Sequence, residues 1–184
     1  MAMKKIYLLV FFLYLASLFL LKAQAQVMAS TSLNTNADTS NILALVGVNN
    51  KYGFIDKNGK EVVPVKYESI GQDFQEGLVA VRYKGKWGFV DKKGREIVPA
   101  IYDVVEDFHE GVALVGIQSQ YGYVDLTGRI VIPIQFDAAG SFHKGLAMVS
   151  VQGKRGFIDK GGKAVIPLKY DFVFDFSTAD RNNP

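Results

Sequence analysis

The chain repeats one pattern four times at intervals of 34 or 35 residues, and this periodicity limits it to folds built from copies of a single unit. The pattern is an aromatic residue, Gly, a second aromatic residue, Ile or Val, and Asp, with arginine in the first position of the last copy. It occupies residues 52–56, 87–91, 121–125 and 155–159. In each copy a glycine follows the aspartate by three positions, and a proline closes the next apolar run.

Each copy predicts three β-strands joined by short turns. An apolar run precedes the motif and forms the first strand, the motif forms the second, and a β-branched run with its proline forms the third. Proline has no N–H to donate, so it marks the end or outer edge of that strand. Asp in the first and Gly in the fourth position of the turn between the second and third strands are typical of a type I turn followed by a residue with positive φ.

Short turns require antiparallel neighbours, so the sequence predicts an all-β fold of four tandem three-stranded antiparallel meanders. The first and third strands carry apolar residues at adjacent positions, as at Val62 and Val63, which indicates that both sheet faces are covered. Neighbouring units must then cover one another. We expect a β-solenoid-like open stack, with a small propeller-like ring as the alternative, from units at 42–76, 77–110, 111–144 and 145–176.

Residues 1–25 have the three-part pattern of a secretory signal peptide. Lys4 and Lys5 start it, an apolar run follows, and Ala23-Gln24-Ala25 offers the small residues that signal peptidase accepts. The apolar run of 16 residues is shorter than the roughly 20 that a membrane-spanning helix needs, which favours cleavage over an uncleaved anchor. The sequence therefore predicts export to the periplasm, cell surface or medium, with no membrane span after cleavage.

Polar segments flank the predicted repeat domain. Residues 26–41 are rich in Ser, Thr, Asn and Ala, a composition that buries too little apolar surface to fold, and we interpret them as a flexible linker. Residues 177–184 are expected to form a frayed tail. The folded domain is therefore placed at 42–176.

The charge of the chain gives no support for a nucleic-acid partner. It has 21 basic and 18 acidic residues, and the excess of three is accounted for by Lys4, Lys5 and Lys22 in the leader. A nucleic-acid-binding surface needs a concentration of Lys and Arg. The balanced mature chain predicts no nucleic-acid binding, and it has no cysteine for disulfides or a lipid anchor.

The segment Lys86–Asp91, followed by Lys92-Lys93-Gly94 and residues 97–103, resembles a WG repeat, also called a KWG repeat. The resemblance extends from about residue 42 to residue 176. The chain departs from the pattern in the residue that names it, because tryptophan occurs only at Trp87. The resemblance implies a bacterial and often exported protein with no established catalytic activity, so it supplies no active-site residues.

Few residues offer chemistry beyond the repeat, and we predict no catalytic site, metal or cofactor. His109 and His143 are interpreted as solvated loop residues, although units stacked in register would bring them together as a metal-binding pair. Glu106, Asp107 and Glu110 are interpreted as a solvated face. The motif aspartates are expected to accept backbone hydrogen bonds in turns rather than to bind calcium, and they are Asp56, Asp91, Asp125 and Asp159.

The first motif position is the candidate ligand-binding feature. It forms a column of Tyr52, Trp87, Tyr121 and Arg155, which either packs in the core or offers platforms to a ligand. We expect an exported, non-enzymatic repeat domain that binds or scaffolds a partner protein. A module that binds carbohydrate or cell-wall ligands through the aromatic column is the alternative, and an enzyme is a more distant one.

Cleavage of the leader is open to direct measurement. We predict that the exported protein begins at Gln26, because the apolar run and Ala23-Gln24-Ala25 place the cut after Ala25. The intact mass of the exported species should lack residues 1–25. An exported species that retains the leader would contradict the prediction.

Overall fold

A computed structural model describes residues 42–174; the predicted signal peptide, linker, tail and Phe176 lie outside these residues. The described part is all β. The first unit contains β1 (Leu43–Val48), β2 (Lys51–Asp56), β3 (Glu61–Tyr67) and β4 (Ser69–Ile70), and the second contains β5 (Leu78–Tyr83), β6 (Lys86–Asp91), β7 (Glu96–Tyr102) and β8 (Val104–Val105). The third contains β9 (Val112–Ile117), β10 (Gln120–Asp125), β11 (Ile130–Phe136) and β12 (Ala138–Ala139), and the fourth contains β13 (Leu146–Val151), β14 (Lys154–Asp159) and β15 (Ala164–Tyr170).

The predicted antiparallel meander is confirmed in all four units. The first sheet has the order β1-β2-β3, and each later sheet repeats this order with one strand added. The added strand is short and comes from the end of the preceding unit, so that β4 pairs with β5, β8 with β9 and β12 with β13. Sequence reasoning missed these strands because a strand of two residues is too short to show an alternation of apolar and polar residues. Each short strand joins a unit covalently to the sheet of the next unit.

The turns between the second and third strands have the predicted geometry. In the second unit the Gly94 N–H donates to the Asp91 carbonyl oxygen at 2.9 Å, and Gly94 has a φ of 75°. The Asp91 carboxylate accepts the backbone N–H groups of Lys93 and Arg95, both at 2.9 Å. The same pattern recurs around Asp56, Asp125 and Asp159.

The motif glycine is required by a bulge in the neighbouring strand. Trp87 lies opposite Tyr102, and Phe89 lies opposite Val98. A step of two residues along β6 therefore corresponds to a step of four residues along β7. The extra residues bring the β7 backbone over Gly88, where a Cβ atom would lie 2.4 Å from the Val98 carbonyl oxygen. The repeat proline lies in this bulge on an edge strand, as expected for a residue that cannot donate to a ladder.

The four sheets stack in sequence order, and the open stack is confirmed without closure into a barrel. We call the sheet side that carries Phe89 the front face and the opposite side the back face. The front face of each sheet packs on the back face of the next, which forms three clusters. The residues are Phe54, Val63 and Tyr67 with Val79, Val81 and Val90; Phe89, Val98 and Tyr102 with Ala113, Val115 and Val124; and Tyr123, Ile132 and Phe136 with Ala147, Val149 and Ile158.

Backbone contacts between units are equally close at the turn glycines. A Cβ atom on Gly94 would lie 2.2 Å from the carbonyl oxygen of Val62 in the preceding unit, and one on Gly128 would lie 2.2 Å from that of Ile97. Gly59 occupies the same turn position in the first unit with a φ of 79°, and a Cβ atom there has nothing within 4 Å. The turn glycine therefore serves both the turn and the stack in the second and third units.

These two roles are separable by comparing Gly94→Ala with Gly59→Ala. Both variants force a side chain into positive φ, which costs on the order of 1–2 kcal/mol. Gly94→Ala must also displace the Val62 carbonyl, and we expect this to cost a further ~1–3 kcal/mol as overpacking does. Urea melts of the two variants measure the difference, and equal midpoints would mean that the turn does not rest on the preceding unit.

Candidate functional site

The column of Tyr52, Trp87, Tyr121 and Arg155 takes one equivalent position on β2, β6, β10 and β14. Each of the four lies opposite an aromatic residue of the third strand: Tyr67, Tyr102, Phe136 and Tyr170. Trp87 and Tyr121 are half-buried and pack at the rim of the clusters between units, and Tyr52 is 38% exposed. The column thus places one side chain at each level of the stack and does not bring the four together.

Trp87 alone of the column lines a groove that the stacked units form within residues 42–174. The groove has a volume of about 480 Å³ and crosses the first three units. Its apolar side is formed by Trp87 with Ile70, Ala80 and Val105. The remaining lining residues are Gly71, Glu106, Asp107, His109 and Ser141.

The polar side of the groove is acidic. Glu106 accepts a hydrogen bond from the Ser141 hydroxyl, which links the second unit to the third. Glu106 and Asp107, interpreted from the sequence as a solvated face, therefore line a concave surface next to an indole. Neither Lys nor Arg lines it. A side chain that enters this groove meets negative charge on one wall and apolar surface on the other.

The sequence carried a signal for these groove residues in its departures from the repeat. The acidic pair Glu106-Asp107 of the second unit is replaced by Gly140-Ser141 at the equivalent positions of the third unit. Only the second unit has two carboxylates at these positions. Comparison of the units at this loop would have singled out Glu106 and Asp107 as candidate binding residues, but not the groove that stacking forms around them.

The two histidines do meet across the stack. Their ring centroids lie 5.8 Å apart with an interplanar angle of 39°, as stacking in register predicted. Within residues 42–174 no group of three or more His, Cys, Asp or Glu residues has a placement that would hold a metal ion. The pair therefore supplies two nitrogen ligands at most, and only His109 lines the groove.

Carboxylates also link one unit to the next along the outer edges of the stack. The hydrogen bond from the Lys86 ammonium, followed by that from the Gln118 backbone N–H, lowers the pKa of Asp103. Glu110 accepts the Gly145 N–H at 2.9 Å and lies 3.1 Å from the Lys160 ammonium. The hydrogen bond from Lys160 is the main cause of the lowered pKa of Glu110. Glu110, interpreted from the sequence as part of a solvated face, therefore joins two units, because it accepts the Gly145 N–H. Asp103 and Glu110 are engaged in structure, unlike Asp107 in the groove wall.

Comparison with known families agrees with this geometry. The family model described as WG containing repeat matches residues 52–87, 87–117, 121–154 and 156–178. The chain belongs to the WG repeat family. No curated protein matches this WG repeat chain. Its residues 42–174 include no helix long and apolar enough to cross a membrane.

The turn aspartate Asp125 makes the stability of the WG repeats dependent on pH. Hydrogen bonds from the Thr127 hydroxyl and then Arg129 lower the pKa of Asp125 well below that of an unfolded aspartate, about 3.9. A depressed folded pKa stabilises the protein above pH ~4, and the contribution is lost as the pH falls toward the folded value.

We therefore expect Asp125→Asn to be less stable than the wild type at pH 7, with a difference that shrinks as the pH falls from 4 to 2. The amide side chain of this variant still accepts a backbone hydrogen bond but loses the attraction to Arg129. Urea midpoints of both proteins across this range measure the effect. Parallel curves would mean that ionised Asp125 contributes nothing to the turn.

Proposed function

We propose that this WG repeat chain is an exported, non-enzymatic binding module that holds a basic, extended segment of a partner protein in the groove beside Trp87. The observation that carries the proposal is the pairing of a half-buried indole with the acidic residues Glu106 and Asp107 in one groove. A Lys or Arg side chain fits both walls, because its stem packs on apolar surface and its charge pairs with carboxylates.

Partner protein is favoured over glycan by the burial of the aromatic column. Sugar platforms need an open ring face, whereas Trp87 and Tyr121 lie at the rim between stacked sheets and are half-buried. Tyr52 is the one exposed side chain of the column, at 38%. A row of open rings that would track a polysaccharide is therefore not what this column offers.

The non-enzymatic part of the proposal is supported by how the reactive groups are used. The motif aspartates accept backbone hydrogen bonds within their own turns. Asp103 and Glu110 accept N–H groups from the next unit. Export is supported by the signal-peptide pattern of residues 1–25, and an exported module would meet its partner outside the cytoplasm.

The test compares Asp107→Asn with Asp73→Asn on a peptide array. Both aspartates precede the loop phenylalanine of their units, but Asp107 lines the groove and Asp73 does not. The probes are short peptides in which Lys or Arg is placed beside apolar residues, with Glu-substituted versions as controls. We expect basic peptides to bind, and Asp107→Asn to weaken them by about tenfold, equivalent to ~1.4 kcal/mol, while Asp73→Asn binds as the wild type does.

Three results would reject the proposal. Equal loss in both variants would mean that general negative charge, rather than the groove, attracts the peptides. Binding on a glycan array that survives Asp107→Asn, with no binding to basic peptides, would favour the carbohydrate alternative. Catalytic turnover of any bound probe would point to an enzyme.

A further inference from the structure

We propose that copies of this chain associate head to tail, with the back face of the first unit in one copy packing on the front face of the fourth unit in the next. The association would continue between molecules the packing that joins units within one molecule. This self-assembly is independent of ligand binding in the Trp87 groove.

The back face of the first sheet is apolar and uncovered in the described residues. Its residues Val46 and Ile55 are half-buried and Ala44 is exposed. Their equivalents in the other three units are each at most 2% exposed, because the preceding unit covers them: Val79, Val81, Val90, Ala113, Val115, Val124, Ala147, Val149 and Ile158. The first unit thus presents the surface that a preceding front face would bury.

The front face of the fourth sheet is uncovered in the complementary way. Tyr170 is 43% exposed, whereas Tyr67, Tyr102 and Phe136 at the same repeat position are 3–5% exposed. Beside it, Phe172 is 70% and Phe174 is 85% exposed. An apolar cavity of about 380 Å³ lies here, lined by Phe157, Ile166, Tyr170, Phe172, Val173 and Phe174. Among the described residues no further sheet covers it.

The sheet edges also match. β1 is the only first strand in residues 42–174 that lacks the short partner strand which β5, β9 and β13 receive from the preceding unit. Phe172-Val173 stands at the repeat position of β8, and β8 pairs Val104 with Gly116 and Val105 with Val115. The same register between two molecules pairs Phe172 with Gly47 and Val173 with Val46. Such a contact is heterologous, so it builds rings or open chains rather than two-fold dimers.

Sedimentation velocity over a concentration series tests the proposal on residues 26–184, the predicted mature chain. The wild type should form species larger than the monomer as concentration rises. Val46→Glu blocks one end and Tyr170→Glu, at the position that stacking buries in the other units, blocks the other, so each variant alone should be monomeric. An equimolar mixture retains one intact joint and should give a dimer, twice the monomer mass, and nothing larger. Leu126→Glu, at an exposed turn away from both ends, should associate as the wild type does.

A cysteine test checks the register and remains informative if a glutamate variant fails to fold. The chain has no cysteine, so Val46→Cys and Val173→Cys introduce single thiols. Residues directly opposite in antiparallel strands have Cα atoms about 4.5–5.5 Å apart, within the range of a disulfide. We expect the mixed variants to form a disulfide-linked heterodimer, and Leu126→Cys mixed with Val173→Cys to form none.

Three outcomes would overturn head-to-tail association. A wild type that stays monomeric at every concentration would mean that the two end faces do not join. Self-association that survives both glutamate variants would place the contact elsewhere. Association abolished by Tyr170→Glu but unchanged by Val46→Glu would indicate a tail-to-tail contact.

Discussion

The whole structure depends on the packing of one front face on the next back face. A single three-stranded sheet of this size has too little material to cover its own faces, and each interface supplies what the sheet lacks. Val98 and Val115, which meet at the second interface, are both fully buried. Burial of each such side chain contributes roughly 1.5–3 kcal/mol. Because these residues belong to different units, no unit keeps its stability alone, and the stack is expected to unfold cooperatively.

Close approach between backbones determines which positions of the motif accept only glycine. Gly88 leaves no room for a side chain because the β7 bulge passes over it, and Gly94 lies against the Val62 carbonyl of the preceding unit. The tryptophan that names the family is under no such restriction, since its position lies at the rim of the interface. Arg155 occupies that position in the last unit, where its stem can cover apolar surface. The glycine, rather than the tryptophan, is the structural signature of the repeat.

The sequence was sufficient for the features that recur. Period, turn chemistry and strand order followed from positions such as Asp91 and Gly94, because each of four copies repeated the same local requirement. The short strands β4, β8 and β12 could not be predicted, since a pair such as Ala138-Ala139 gains its strand conformation only from the neighbouring unit. The bulge in β7 was also missed: proline indicated an edge strand but did not show how the backbone would cross Gly88. The groove beside Trp87 depends on side chains from three units and is visible only after stacking.

Residues that depart from the repeat are of two kinds: those buried in the stack and those exposed on its surface. Tyr123 replaces the phenylalanine of the other units, and it remains fully buried because its hydroxyl donates to the Gly140 carbonyl oxygen at 2.7 Å. That change is compensated within the fold, as a buried polar group must be. The carboxylate of Asp107 requires no such compensation, because it faces a groove rather than a core. A change such as that at Tyr123 preserves the packing of the stack. A change such as that at Asp107 gives one unit of the stack a surface chemistry that the other units lack. In a repeat protein, specificity therefore arises where symmetry is broken at a position that packing leaves open.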